Sequence, residues 1–300
     1  MADVSVVIPT RNRASKLRQS VDSALSQSDP VREVIVVDDG SADGTAQCLR
    51  AYGDRVRPFF LAHAGVSAAR NHGIRAAQGR WIAFLDDDDV WIESKIERQM
   101  AVAAQNPRAR LLHCSVYAVD EDLRILYERP ASPAHRGDVF EQLLARNFIC
   151  TSCVLARRDA IEEAGYMDTG LASAQDWDLW LRIAARHPAD FATEPLVLYR
   201  KSVSGSVTSD IARPERLRLA QIVQDRALRL RHISPRARRR ARYEMQRSWA
   251  FCWLAQGDRR KALPHVLRAL ALRPASPATY RMLLRLGLPR MAQDLPGFRA

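Results

Sequence analysis

Four carboxylates in a row, Asp86 to Asp89, follow directly on a short apolar run, Trp81 to Leu85. The run reads as a fully buried strand, not as an amphipathic helix. Two carboxylates about 4 Å apart repel by roughly 4 kcal/mol at an effective dielectric near 20, so a cluster at the end of a core strand needs a counter-charge. A divalent cation holding a phosphate is one such charge, because hard cations take oxygen ligands. A solvated acidic turn is the other reading of the same four residues. Two more polar stretches end apolar runs: Pro9-Thr10 after Val4 to Ile8, and Asp38-Asp39-Gly40-Ser41 after Glu33 to Val37. Gly40-Ser41 and Asp43-Gly44 are turn and cap residues suited to presenting backbone N–H groups to a ligand.

Those stretches are placed by alternating elements. Strands are expected at Val4–Ile8, Glu33–Val37, Val56–Leu61 and Trp81–Leu85. Helices are expected between them, over Ala14–Gln27, Asp43–Tyr52 and Val66–Ala77. Such alternation implies βαβ units and a mostly parallel sheet, whose ligands bind at the carboxyl ends of the strands. Three loops therefore converge on one rim. Beyond it, Leu111–Val119 and Ile125–Arg129 are expected to pair as a hairpin around Asp120-Glu121-Asp122. A helix over Arg136–Arg146, a strand over Phe148–Ala156, a helix over Asp176–His187 and a strand over Phe191–Tyr199 follow. In the last helix Trp177 and Trp180 read as packing residues rather than sugar-stacking ones. Arg70, one turn from Val66 and Ile74, is either a partly exposed helix arginine or a ligand contact.

The segments VSVVIPTRNR, VIVVDDGSADGT and GVSAARNHGIRAAQGRWIAFLDDDDVW resemble the opening blocks of glycosyltransferase family 2, and GYMDTGLASAQDWDLWLRIA resembles its later block. The resemblance covers about residues 3–205 and implies an inverting, nucleotide-sugar-dependent enzyme of the GT-A fold, an α/β architecture with helices flanking the central sheet. Carried onto this sequence, it implies that Pro9, Thr10 and Asn12 shape the loop under the nucleotide. It puts Asp39 toward the base, with Asp38 beside it, and Arg70 and Asn71 near the pyrophosphate. Asp86 and Asp88 form the DxD that holds a divalent metal, Mg²⁺ or Mn²⁺. Asp88 is closest to the metal, Asp86 lies toward the ribose, and Asp87 can share either role. Asp176 matches the catalytic base. Two positions depart from the family pattern. No His follows Tyr199-Arg200 in the run through Ser206, so Lys201 stands as the candidate phosphate contact there. Gln175 stands where Glu often precedes the Asp. The implied donor is a nucleotide diphosphate sugar, with UDP favoured. The implied acceptor is a hydroxyl of an envelope or lipid-linked glycan.

The 300 residues carry a net charge of +12, unevenly spread. Residues 211–300 hold 21 Lys and Arg against 5 Asp and Glu, while residues 1–210 hold 25 against 29. We expect a catalytic domain over 1–210, its nucleotide-sugar half at about 1–90 and its acceptor half at about 91–210, and a basic helical extension over 211–300. Within the extension, residues 243–273 resemble one tetratricopeptide-like hairpin. Such a hairpin cannot bury its own face, so it should pack on the catalytic body or on another chain. The extension reads either as a solvated basic face or as a contact for an anionic membrane. The run Arg236 to Arg242 lacks interleaved aromatics and any nucleic-acid motif, which argues against nucleic acid. No GxGxxG follows the first strand, which excludes a dinucleotide-binding dehydrogenase. A binding-only protein of the same fold remains the alternative to an enzyme. No apolar stretch approaches 18 residues and no signal pattern opens the chain, so a cytoplasmic protein is expected. It would be peripheral at most on the inner face of the membrane. The five cysteines are expected to be reduced, with the Cys150-x-x-Cys153 pair structural.

Overall fold

The computed structural model describes residues 1–201 and 211–287. It divides into two compact units. The first is Met1–Phe140 together with the chain from Phe148 onward to residue 201; the second joins Glu141–Asn147 to residues 211–287. The expected boundary at residue 210, and Ser202 to Ser206, lie outside the described residues.

The first unit opens with four parallel strands. β1 (Ala2–Thr10), α1 (Ala14–Leu25), β2 (Val31–Asp38), α2 (Thr45–Arg50), β3 (Arg57–Phe60), α3 (Val66–Ala76) and β4 (Trp81–Phe84) follow the expected alternation. Their β-branched runs are buried because helices cover both faces of a parallel sheet. Gly73 permits close packing of α3, since a Cβ there would stand 2.6 Å from Val7 Cγ1. The chain continues through β5 (Val90–Trp91), α4 (Lys95–Gln105), β6 (Leu111–Val119), β7 (Ile125–Arg129), α5 (Phe140–Ala145), β8 (Leu155–Arg157), α6 (Arg158–Ala164), α7 (Gln175–Ala184) and β9 (Ala189–Arg200). The sheet runs β3-β2-β1-β4-β8-β6-β9-β5, with β7 on β6. It is parallel from β3 to β4 and mixed beyond, because β8 enters antiparallel to both β4 and β6.

One expected strand is mostly absent. Over Phe148–Ala156 the chain instead makes a 3-10 turn, Thr151–Cys153, and pairs only from Leu155. The run is apolar enough for a strand, but its main-chain groups are claimed by side chains. Trp91 Nε1 donates to Ser152 O at 2.9 Å, and Gln99 Nε2 donates to Cys153 O at 2.8 Å.

The second unit is helical: α8 (Arg213–Ala227), α9 (Pro235–Ala255), α10 (Arg259–Leu272) and α11 (Pro277–Arg285). The hairpin of α9 and α10 does not wait for another body to cover it. Tyr280, Met282 and Leu283 of α11 close a cluster with Ala250, Ala262 and Val266. Glu141–Asn147, expected in the acceptor half, belongs here. Gln224 Nε2 donates to Leu144 O at 3.0 Å, and Glu141 accepts from the Ser234 N–H at 2.8 Å. No helix among the described residues is long and apolar enough to cross a membrane.

His113 on β6 is 2% exposed and stacks on Phe191 with ring centroids 5.4 Å apart. Burial pushes its pKa down to about 4; the nearby Asp190 charge and the His135 carbonyl oppose that shift weakly. The unfolded chain therefore binds a proton first as pH falls through about 6.5. Stability from this residue is present above that value and is lost on the way down to about 4. Between pH 7 and about pH 4.5 the loss is about 2.5 kcal/mol. Urea midpoints of the wild type and His113→Phe at the two pH values check this. The variant's midpoint should fall less on acidification, and an equal fall in both would contradict it.

Candidate active site

The four carboxylates follow β4 on a turn closed by the Asp89 N–H on Asp86 O at 3.1 Å. They alternate. Asp87 and Asp89 are buried, while the side chains of Asp86 and Asp88 remain 29% and 16% exposed. Asp87 accepts from Thr10 Oγ1 at 2.7 Å and from Arg13 at 2.9 Å, and the same Arg13 nitrogen reaches Asp88 at 2.7 Å. Burial raises the Asp87 pKa to about 6, Arg13 pulls it back, and the charge of Asp88 adds to the rise. Burial also raises Asp88, and the repulsion of Asp86 comes next. Asp89 is pushed well above the ordinary range by burial and by both partly exposed neighbours. It accepts from Ser152 Oγ at 2.5 Å and from the Arg200 N–H at 2.9 Å.

The first two loops are tied to each other. Asn12 adopts a left-handed backbone, φ 54°, an allowed exception for asparagine. Its N–H donates to Ser41 Oγ at 2.8 Å and its Oδ1 accepts from the Ala42 N–H at 2.7 Å. Pro9 stands opposite Val37 in the β1–β2 ladder. Asp38 accepts from the Ser41 N–H at 2.9 Å. Asp39 holds the segment before α3, accepting from His63 Nδ1 and from the Ala64 and Gly65 N–H groups at 2.8–2.9 Å.

On α3, Arg70 is no exposed helix arginine: it is 5% exposed and pairs with Asp86 at 2.5 Å. Its Nε is buried without a partner, as is Gln175 Oε1, and buried polar atoms without partners invite a ligand. Asn71 serves otherwise than the family resemblance implies. Its amide clasps the main chain of Met167, donating to the carbonyl at 2.8 Å and accepting from the N–H at 2.9 Å. Both ends of the side chain are thereby engaged, which makes it a positioning residue.

Asp176 lies in the first turn of α7, after Ala174 in the left-handed conformation. Thr151 Oγ1 lies 3.4 Å from its carboxylate. The adjacent Ser152 holds Asp89 and accepts from the Asp86 N–H at 3.1 Å. One 3-10 turn thus carries contacts to Asp176 and to the acid cluster together. Asp178 points elsewhere, pairing with Arg182 at 2.7 Å. Arg182 in turn donates to Ala164 O and to Tyr166 O, closing the end of α6. Trp177 and Trp180 are buried packing residues. Lys201 is exposed and its ammonium stands 4.8 Å from the centre of the Tyr127 ring. The neighbouring Arg200 is the cation that meets the cluster, bonding to Asp88 O and to Gln19.

Sequence reasoning missed Arg13, Arg200, Thr151 and Ser152. Arg13 had a signal, since it sits in the loop already marked by Thr10 and Asn12. The turn had none, because FICTSCVLA reads as a strand. The arrangement offers partly exposed carboxylates for a hard cation, guanidinium groups for phosphate oxygens, and a separate carboxylate, Asp176, for a proton.

The family model described as glycosyl transferase family 2 matches residues 5–165, more than half of the chain. An uncharacterised glycosyltransferase of Rickettsia conorii is 30% identical over 203 residues, 66% of this chain and 34% of that protein. The chain thus spans about a third of that relative's length. TuaG of Bacillus subtilis, named as a teichuronic acid biosynthesis glycosyltransferase, is 42% identical over 101 residues, 32% of this chain and 40% of its own. Among solved structures, S. aureus TarS 1–349 in complex with UDP-GlcNAc superposes with a TM-score of 0.68 at 15% identity. It covers 97% of this chain and 88% of that one. The mannosyltransferase PcManGT of Pyrobaculum calidifontis, in complex with GDP-Man and Mn²⁺, gives 0.60 at 19% identity, over 97% and 82%. At these identities the likeness is one of fold.

The Asp178–Arg182 pair separates the two acids of α7 experimentally. Asp178→Asn leaves Arg182 half-paired and should cost about 2 kcal/mol, a fall of about 4–8 °C in melting temperature. Arg182→Met should cost more, since it also frees the Ala164 and Tyr166 carbonyls, and the double variant little more than Arg182→Met alone. Additive losses would show that the pair is not one structural unit.

Proposed function

Because the chain belongs to glycosyl transferase family 2 and has the GT-A fold, we propose that it moves a sugar from a nucleotide diphosphate sugar to a hydroxyl of a growing glycan, with inversion at the anomeric carbon. The observation that carries this reading is the turn Thr151–Cys153, which links a carboxylate suited to proton removal with an acid cluster suited to a metal-bound diphosphate. The acceptor hydroxyl loses its proton to Asp176 as its oxygen attacks the anomeric carbon. The diphosphate departs from the opposite face, and one displacement inverts the centre. The first turn of α7 favours the ionised carboxylate through the helix dipole.

Asp86 and Asp88 fit a divalent cation: they are partly exposed, two residues apart, and supply hard oxygen donors. Among the described residues no three His, Cys, Asp or Glu side chains are grouped to hold a metal. Diphosphate oxygens and water would complete the shell, the usual arrangement for Mg²⁺. Bound there, the cation offsets charge on the leaving diphosphate. PcManGT, in complex with Mn²⁺, supports a metal. TarS, in complex with UDP-GlcNAc, favours a UDP-sugar. Thr10 and Asn12 would shape the floor of the nucleotide site, and Asp39 would face the base. Arg13 and Arg70, already beside the acids, would meet the phosphates in the role first assigned to Lys201. TuaG's name favours an envelope polysaccharide as acceptor.

We take residues 1–210 as the catalytic domain and 211–300 as the helical extension, in a protein that works at the cytoplasmic face of the membrane. Arg236, Arg239, Arg240 and Arg242 are exposed on α9, and Leu263 and Leu267 are exposed on α10. Each basic residue near an anionic surface contributes about 1 kcal/mol. Flotation with anionic liposomes should bring the full chain up at low salt and release it at high salt; no flotation at low salt sinks the membrane contact.

A panel of UDP-glucose, UDP-galactose and dTDP-rhamnose, each with metal, tests the transfer itself through nucleotide release. With the best donor, Asp88→Ala should lose metal-dependent nucleotide binding. Asp176→Asn should keep donor binding and lose transfer by at least roughly 100-fold. Near-normal turnover in Asp176→Asn, or unchanged metal-dependent binding in Asp88→Ala, would remove the respective assignment.

A further inference from the structure

The transfer reaction makes no use of the thiols in the turn that joins its two halves. Cys153 N donates to Cys150 O at 3.1 Å, closing a four-residue turn. Such a turn holds its end Cα atoms within about 7 Å, close to the span that a disulfide bridges. Cys153 is 1% exposed, whereas Cys150 is half-buried. At the end of β7, Arg129 donates to Cys150 Sγ at 3.2 Å. A guanidinium aimed at the sulfur of a residue that is not fully buried, with a second thiol three residues away, is the setting of a reactive cysteine and its resolving partner.

We propose that Cys150 is a peroxide-reactive thiolate that Cys153 resolves, making this turn a reversible dithiol–disulfide modification site. The electrostatics agree with the geometry. A hydrogen bond from Cys153 and the charge of Arg129 lower the Cys150 pKa against the effect of burial and of the Asp176 charge. Burial pushes Cys153 well up, so it remains the protonated donor.

A hydroperoxide is the oxidant. The Cys150 thiolate attacks its terminal oxygen and breaks the O–O bond. The products are a Cys150 sulfenic acid and an alkoxide or hydroxide, which takes a proton. Cys153 then loses its proton and attacks the Cys150 sulfur, expelling hydroxide, which leaves as water. Two thiols and one hydroperoxide thus give one disulfide, one alcohol or water, and one water. Drawing the sulfurs into bonding distance moves Thr151 and Ser152, and with them the contacts to Asp176 and Asp89. Oxidation should therefore switch off sugar transfer, a consequence that rests on the transferase reading; the thiol chemistry does not.

The test uses the full chain, reduced and then treated with limiting hydrogen peroxide. Peptide mapping by mass spectrometry should find a Cys150–Cys153 link that dithiothreitol removes. In Cys153→Ser the reaction should stop at a Cys150 sulfenic acid, trapped by dimedone. Iodoacetamide at neutral pH should modify Cys150 at least about tenfold faster than Cys48 or Cys114, and Arg129→Gln should slow that reaction several-fold. A link formed only between Cys114 and Cys153, or a Cys150 no faster than the other thiols, overturns the proposal. A link that leaves transfer unchanged overturns the switch. Reduced protein that transfers no sugar from any donor counts against the transferase reading alone, since mapping and alkylation need no turnover.

Discussion

The fold turns on one buried carboxylate. Asp89 is 1% exposed and joins four stretches of chain. Its side chain accepts from Ser152 of the 3-10 turn and from the Arg200 N–H at the end of β9. Its carbonyl accepts from Ser20 of α1, and its own N–H closes the acid turn after β4. A bare carboxylate in such a place costs several kcal/mol after relaxation. Two answers to that cost are visible. Hydrogen bonds are supplied to both oxygens, and burial, with the charges of Asp88 and Asp86, raises the pKa. Either way the group is satisfied only while all four stretches keep their places, so the rim of the site and the core strand behind it are one structure.

Alternation then sorts the rest of the cluster. Asp87 faces inward like Asp89, and Asp86 and Asp88 face the rim. Repulsion among them is met by arginines from separate elements: Arg13 before α1 and Arg70 inside α3. These cations are positioned before any ligand arrives, so they need little reorganisation at the moment of reaction. In the proposed reaction a metal and a diphosphate would bring both signs of charge to a place where both signs already stand, so the existing pairs would be exchanged for new ones.

The strand ends and the acid turn were legible in the sequence because each is a local event, whereas Asp176 was pointed to by the family resemblance alone. An apolar run stops, a polar loop begins, and the period changes from 2 to 3.6. The partners were not legible, because nothing local fixes them. Ser152 meets Asp89 across 63 residues, Asn71 meets Met167 across 96, and the Arg200 N–H meets Asp89 across 111. The same gap explains the strand that became a turn. FICTSCVLA has the composition of a strand, but the main chain of Ser152 and Cys153 is captured by Trp91 and Gln99. Arg200 and Lys201 part company because successive residues of an extended segment point to opposite sides: Arg200 bonds to Asp88 O, and Lys201 stands by the Tyr127 ring.

That captured turn also explains why a site so dependent on an irregular element need not be loose. A functional group is best held by packing and hydrogen bonds around it, whatever the secondary structure that carries it. Here the carbonyls of Ser152, Cys153 and Val154 accept from Trp91, Gln99 and Phe84 respectively, so the turn is fixed by three elements. Thr151 and Ser152 are adjacent, so no rearrangement of the turn can reach Asp176 without also reaching Asp89. The element that makes the two halves of the site rigid to each other is also the one through which a single covalent change is felt by both.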